Sequence, residues 1–476
     1  MTGHTGTLAA KIAFRFSWNS PMRNLLRRWL GVSLLTLYAV PALAEPVPTV
    51  IVEISGLGAA RIQALKQDPT VRWAAEFGTE MLLGVAPAAL QDWQDRPGVR
   101  SGLGLLGRDE IWVRSHVCIH ESQQPALGAV GGFEVLRMPP SVIRYAKRSG
   151  VNGSALPDDG VVARESRNSD APKAVMGAVP EVLAVVNQID SERWFQTMSL
   201  LAGFNRNSYS PALGSSRDWI LSAFEGAQLS TSVFPYTLSN VSGCPGSPAI
   251  NIDNPVGLKR GETLPDEWIV VGAHYDSRNS VRCDGTANPQ PGANDNASGC
   301  AGVIELARAF AGVSTQRSVL FMCFSGEEQG LWGSRRYVES LQASGEIAKV
   351  KHMINLDMIG FDSGGTLDAQ VVTSTTHAAV QAQYVAAAAT YAPELNIITS
   401  TSVGANTDYW YFLQAGVPSV FTWENGVSGY VHYHQSSDVP ANMTNARPLA
   451  GGILKMDAAM LATTAGIGPM FADGFE

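Results

Sequence analysis

The chain has 476 residues, 42 of them acidic against 34 basic, for a formal net charge of −8. An acidic surface argues against a nucleic-acid partner. With 45% hydrophobic and 16% charged residues the composition is that of a globular protein, and its length exceeds what one small core serves, so two domains are expected.

Residues 1–44 predict a leader with a secretory signal peptide. Arg23, Arg27 and Arg28 form a basic start, Trp29 to Val40 is apolar, and Ala42-Leu43-Ala44 supplies small residues for cleavage near Ala44/Glu45. Met22 is then either the initiator or preceded by a long leading arm. The apolar run of about a dozen residues is short for a bilayer span, so the expectation is an exported protein, secreted or periplasmic, with no stable membrane association after cleavage. The leader carries basic residues and no Asp or Glu, so the remainder is more acidic still.

Residues 45–138 predict a small α+β domain: TVIVEI and EMLLGVA have the run lengths of strands, and ARIQALKQD and PAALQDWQD those of helices. Residues 139–180 contain Pro-Pro, SGVNGSALPDDG and ARESRNSDAPK, a polar, turn-rich composition that predicts a linker. The amino-terminal domain is then either a propeptide released when that linker is cut or a permanent module. Residues 181–466 alternate helices with β-branched strands and predict the large α/β domain, ending in a helix near Ala446 to Ala465. The tail 467–476, containing PMFADGFE, is either a sorting tag or a frayed terminus.

The five cysteines are Cys118, Cys244, Cys283, Cys300 and Cys323, and export permits disulfides. Cys244 and Cys283 lie in Gly-, Pro- and Asn-rich loops and are the candidate pair. Cys323, inside the apolar run SVLFMCF, is expected as a buried free thiol.

Within the large domain, polar residues gather where open α/β sheets place their sites, just past the carboxyl ends of strands. EWIVVGA (Glu267 to Ala273) delivers His274; Arg317 to Phe324 delivers Glu327 and Glu328; Lys351 to Leu356 delivers Asp357; Val417 to Trp423 precedes the loop with His434. Asp295 precedes Asn296, a candidate cap for a helix from Ala297 to Phe310. Taken singly, each has an ordinary explanation: Asp295 a turn or cap residue, Glu327-Glu328 a solvated helix start, His434 interchangeable with His432. Taken together they amount to five metal ligands, one of them able to bridge, and a sixth carboxylate left to act as base, an inventory suited to a two-zinc metallohydrolase.

The motifs His274-x-Asp276, GANDNASG, SGEEQGLWGS, NLDMIG and YHxxxD, in that order, resemble the bacterial leucyl aminopeptidase family of co-catalytic zinc exopeptidases, over roughly residues 182 to 465. The resemblance implies a mixed, mostly parallel sheet with helices on both faces and two Zn²⁺ per chain. Asp295 would bridge both ions, His274 and Asp357 complete the first, and Glu328 and His434 complete the second. It further implies Glu327 as general base, Asp276 as partner of His274, and a cis peptide after Asp295. Successive side chains after a strand diverge, so one of the two glutamates can ligate while the other faces the water; which does which rests on the family. Asp438, four residues beyond His434, has two open roles, orienting that imidazole or capping a helix.

Positions matching the family's pocket are Met358, Phe421, Trp423 and Tyr433, an apolar and aromatic set suited to a hydrophobic amino-terminal residue; Phe421 on a strand is equally an ordinary core residue. The chain departs from the family at SVGANTDYWYF, where Gly404 stands about where a tyrosine is expected. Asp408 keeps its place, and zinc, or Tyr409 or Tyr411 turned inward, would have to stabilise an oxyanion. The implied substrate is a peptide or protein amino terminus, handled by a monomer. The alternatives are a carboxypeptidase or a one-zinc glutaminyl cyclase of the same fold, or a non-catalytic binding protein, which would require lost ligands.

Overall fold

Short apolar runs separated by Gly, Pro, Asn and Asp give this chain its strands, and longer runs with helical periodicity give its helices. The computed structural model describes residues 45–467, apart from 55–56, 116–125, 131–132, 150–153, 158–159, 166–176, 243, 402–403, 405 and 426–428. The expected signal peptide, Cys118 and the carboxyl-terminal tail beyond 467 therefore lie outside the described residues. No described helix is long and apolar enough to cross a membrane.

The amino-terminal strands are β1 (Val47–Glu53), β2 (Val71–Gly78), β3 (Glu80–Val85), β4 (Val99–Leu106), β5 (Ile111–Ser115), β6 (Gly128–Val130), β7 (Phe133–Arg137), β8 (Ser154–Ala155) and β9 (Val161–Glu165). Helices α1 (Ala59–Lys66), α2 (Leu90–Gln94) and α3 (Pro140–Ser149) are interspersed among them. The larger part follows with α4 (Pro180–Val186), α5 (Ser191–Leu201), α6 (Ala212–Gly226), β10 (Ser230–Leu238), β11 (Ile250–Lys259), β12 (Leu264–His274), α7 (Ser298–Ala309), β13 (Arg317–Phe324) and α8 (Trp332–Ser344). It closes with β14 (Val350–Leu356), β15 (Asp368–Val372), α9 (Ala378–Tyr391), β16 (Asn396–Ser400), α10 (Tyr409–Gln414), β17 (Ser419–Glu424) and α11 (Ala446–Ala465).

Thirteen strands form one mixed sheet in the order β10-β11-β13-β12-β14-β17-β15-β16-β9-β2-β3-β1-β4, and β6-β7-β5-β8 form a second, small sheet. The central strands β13, β12, β14 and β17 are parallel, while β11 and β15 flank them antiparallel. Parallel strands covered on both faces need continuous apolar runs, and VLFMCF in β13 is buried throughout. Alternate residues serve opposite faces. Ile269 and Val271 of β12 join Val319 and Phe321 of β13 in a core built with α4 to α7, α9 and α11. Val270, Leu320, Met322 and Met353 face the other way, against Tyr337 and Leu341 of α8 and Phe412 of α10.

The linker expected at 139–180 needs correction. Pro140–Ser149 is helical, and β9 pairs antiparallel with β16 and parallel with β2, so the chain is sheet where composition suggested a tether. Composition is local, whereas the order of β9 comes from two long-range partners. Ile398 of β16 is fully buried among amino-terminal residues such as Phe77 and Val162, so the two parts share a core across that pairing.

Two cystines lie near the site's framework. Cys244 and Cys283 are joined, with Cα atoms 6.0 Å apart, as expected. Cys323 is not a free thiol: it is bonded to Cys300 of α7, Cα to Cα 5.9 Å. The apolar run around Cys323 accounts for its burial but does not reveal a second cysteine one helix away.

Candidate metal centre

The parallel strands end on one edge of the sheet, and each hands over a polar side chain there. His274 is the last residue of β12; Glu327 and Glu328 follow β13, and Asp357 follows β14. Asp295 comes from the turn before α7. Gly292 opens that turn at φ 46°, a left-handed conformation that favours glycine. Asn296 caps the helix, its side-chain oxygen accepting the Gly299 N–H at 2.8 Å. A Cβ on Gly299 would lie 2.4 Å from both Asn296 Oδ1 and the Leu356 carbonyl, so the glycine is what lets α7 start against the end of β14, beside Asp357. The Asp295–Asn296 peptide is cis.

Two triads result. His274, Asp295 and Asp357 each offer a ligand atom within 4.8 Å of one another, and so do Asp295, Glu328 and His434. His274 Nε2 lies 3.2 Å from Asp295 Oδ1 and 3.5 Å from Asp357 Oδ1. His434 Nε2 lies 2.9 Å from Asp295 Oδ2 and 3.3 Å from Glu328 Oε2. Asp295 thus presents one oxygen to each group. Glu327 sits beside the first triad, its carboxylate 3.8 Å from His274 Nε2, and belongs to neither. His432, the alternative to His434, instead meets Ser437 Oγ through Nδ1 at 2.9 Å.

These residues fit a pair of metal ions. Both oxygens of Asp295 and of Glu327, Oε1 of Glu328 and the Nε2 atoms of His274 and His434 are buried without a hydrogen bond. Unmet buried polar atoms are costly, and this many of them, all N and O donors converging from separate elements, is the donor set of zinc or a similar first-row ion. The electrostatics agree. Burial lowers the proton affinity of His274, but Asp357 and Glu327 more than reverse it and hold the imidazole well above its usual range. Burial raises Asp295, and the two imidazoles overcome this and hold it far below the usual carboxylate range. Cations placed among these carboxylates relieve the same repulsion that draws protons to the site.

Asp276 does more than orient one ligand. Its backbone carbonyl lies 3.1 Å from His274 Nδ1, and its carboxylate accepts the N–H groups of Glu327 at 3.2 Å and Glu328 at 3.3 Å. One buried residue therefore ties His274 to both glutamates, through its carbonyl on one side and its carboxylate on the other. Asp438 takes neither role open to it from the sequence: it accepts the N–H groups of Asn294 and Asp295 at 2.9 and 3.0 Å and the Tyr430 hydroxyl at 2.5 Å, fixing the backbone that carries the bridging carboxylate. Thr407, not singled out in the sequence, donates to Asp357 Oδ2 at 2.6 Å. Nothing in its local sequence marks it; only the fold brings it to a ligand 50 residues away.

Met358, Phe421 and Trp423 lie in one aromatic cluster with Phe361, Val372, Tyr409, Leu413 and Tyr430, and Tyr433 packs on it. Tyr433 also stacks on the ligand His434, with ring centroids 3.8 Å apart. The tyrosines considered for an oxyanion are engaged elsewhere: the Tyr409 hydroxyl accepts the Gly404 N–H at 3.3 Å, and Tyr411 faces Arg335 of α8.

Comparison with known proteins agrees with this geometry. Residues 255–452 match Peptidase family M28. A probable zinc metalloprotease of Pyrenophora teres f. teres is 34% identical over 190 residues, covering 37% of this chain and 40% of the relative. The aminopeptidase YwaD of Bacillus subtilis is 31% identical over 207 residues, 42% of each chain. The similarity thus spans about two fifths of the length of these curated relatives. Among solved structures, the LapA aminopeptidase of Legionella pneumophila shares the fold, with a TM-score of 0.50 at 18% identity, covering 76% of this chain and 99% of that one. The segment from residue 255 to residue 452, which bears every residue of both triads, is similar to Peptidase family M28.

Proposed function

We propose that this protein is an exported two-zinc aminopeptidase that removes hydrophobic residues from the amino termini of peptides. The observation that carries the proposal is the pair of buried triads sharing Asp295, with the uncommitted carboxylate of Glu327 beside them. His274 and Asp357 would hold one ion, Glu328 and His434 the other, and Asp295 both. Bound there, zinc supplies Lewis-acid polarisation of a carbonyl and a water acidic enough to attack at neutral pH. Glu327 takes the proton of the attacking water and returns it to the leaving amine. Burial pushes its carboxyl well above the usual range, which favours holding that proton between the two steps.

The aromatic cluster around Met358, Phe421, Trp423 and Tyr433 supports a preference for an apolar first residue. A complete first triad, with both His274 and Asp357, favours a two-ion peptidase over a one-zinc cyclase. The leader at 1–44 supports export. The shared core between β16 and the amino-terminal strands supports a permanent module rather than a released propeptide. The protein is taken to act as a monomer.

The test is elemental analysis of purified protein, paired in the same samples with hydrolysis of leucine p-nitroanilide before and after chelation. Two zinc ions per chain with chelator-sensitive release are expected. One zinc and no release overturns the proposal in favour of a cyclase; two zincs and no release moves it to another exopeptidase pocket.

A further inference from the structure

Between α5 and α6 runs a short polar loop, Asn205 to Ser208, far in sequence from every ligand. Arg206 in this loop is fully buried, yet no carboxylate among the described residues receives its guanidinium. Nε donates to the Tyr275 carbonyl at 2.7 Å, Nη1 to the carbonyls of Leu201 and Pro291, the latter at 2.8 Å, and Nη2 to that of Gly292 at 2.8 Å. A buried charge satisfied wholly by backbone carbonyls is costly unless the arrangement it fixes has value. What it fixes is specific. Tyr275 lies between His274 and Asp276, and Pro291 and Gly292 lead directly into the turn that presents Asp295. One planar fork therefore spans the two segments that supply the first triad's imidazole and the bridging carboxylate.

Ser208, two residues on, reaches the second layer. Its hydroxyl donates to Asp276 Oδ2 at 3.0 Å, the same oxygen that accepts the Glu328 N–H, while Oδ1 accepts that of Glu327. Side chains of Asn205 and Asn207 hold the long loop between β12 and Asp295 from outside, through the carbonyls of Ala287 at 3.0 Å and Arg282 at 2.9 Å. The loop thus touches the supports of His274, Asp295, Glu327 and Glu328 without touching a ligand atom.

We infer that Arg206 and Ser208 are positioning residues of the two-metal site: Arg206 sets the separation of His274 from Asp295, and Ser208 sets the carboxylate of Asp276 on which both glutamates hang. The inference rests on the two-metal function proposed above. Outer partners of this kind are worth about 10–100-fold in metal affinity or activity.

The test measures zinc affinity by competition with a chromophoric chelator, a readout independent of turnover, together with kcat, KM and thermal stability, for wild type, Ser208→Ala, Ser208→Thr and Arg206→Lys. Ser208→Ala is expected to weaken zinc binding and lower kcat by about 10–100-fold with KM little changed. Ser208→Thr, which keeps the hydroxyl, restores both. Arg206→Lys keeps the charge and loses the fork, and is expected to weaken zinc binding in the same range. If Ser208→Ala binds zinc and turns over as wild type does, the inference is overturned, whatever its melting temperature; failure of threonine to rescue overturns the role of the hydroxyl. Should Arg206→Lys not fold, the serine pair decides alone. A wild-type chain that binds no zinc defeats the two-metal function itself, and with it this inference, and is distinguished from the other outcomes by the first measurement.

Discussion

The two ends of the thirteen-stranded sheet treat buried polar groups in opposite ways. In the amino-terminal strands they are paired nearly as soon as they are buried. Thr49 Oγ1 donates to the Gly104 carbonyl at 2.9 Å and accepts the Leu103 N–H at 2.7 Å; Glu76 is met by Lys66 Nζ at 2.5 Å; Trp93 Nε1 donates to Thr70 Oγ1 at 2.9 Å. Among the described residues of that part, Trp73 Nε1 is the exception. At the carboxyl ends of β12 and β13 the reverse holds, with His274 Nε2, both carboxylate oxygens of Glu327 and Oε1 of Glu328 buried together without a hydrogen bond. Strand direction accounts for the contrast. Parallel neighbours discharge their loops on one edge, so side chains from distant segments converge there. A concentration of unmet groups in one half of an otherwise satisfied sheet is a mark of function.

The most severe way to break the contrast is to remove the base. Glu327→Gln should keep both metal ions and lose turnover by on the order of 10²–10⁴, read from steady-state kinetics beside metal analysis; loss of metal in step with activity would assign Glu327 to a ligand role instead. Glu328→Gln removes a ligand and should weaken the second ion beyond the ~10–100-fold typical of outer partners, with the first ion retained in a zinc titration. Thr407→Val takes the hydrogen bond from Asp357 and should cost about 10–100-fold in affinity for the first ion; unchanged binding would make that contact incidental.

One change sharpens the comparison from the opposite side. Ile398→Ala hollows the core shared by β16 and the amino-terminal strands and should lower stability by about 2–5 kcal/mol in chemical denaturation, leaving zinc binding intact. A parallel fall in zinc affinity would show that the two ends of the sheet are energetically coupled.

The last effect is one of pH. Burial raises the carboxyl of Asp457, on α11, from 3.8 to about 8, with Thr422 Oγ1 donating to it at 2.9 Å. The folded state binds this proton more tightly than the unfolded state. The stability it contributes is therefore fully present below pH 3.8 and is lost as pH rises toward 8. Asp457→Asn should flatten the melting temperature across that interval, and an unchanged slope would reject a neutral Asp457 in the folded protein.

Much of this was legible in the sequence, for identifiable reasons. EWIVVGA, SVLFMCF and the helix Ala446–Ala465 announce themselves because run length and periodicity are local properties, and all three lie where expected. The candidate ligands His274, Glu328 and Asp357 were legible because each closely follows such a run, whereas Asp295 and His434 lie in longer loops and stood out through the family motifs. Their bridging arrangement came from resemblance, since no spacing states that Asp295 faces two imidazoles.

What the sequence could not disclose depends on partners remote along the chain. Residues 161–165 look like part of a tether and become β9 because β2 and β16 lie on either side. Cys323 looks like a lone thiol until α7 brings Cys300 against it. Arg206, Thr407 and Asp438 carry no local sign of their tasks, because hydrogen bonds to backbone and side-chain groups 50 to 150 positions away leave no periodic trace. The sequence by itself thus determined most of the elements, the candidate ligand residues and the kind of ion they suit, for these follow from side-chain chemistry and local pattern. Only the tertiary structure decided which groups hold those ligands in place and how the amino-terminal strands extend the sheet, because both arise from packing between segments that are neighbours in space alone.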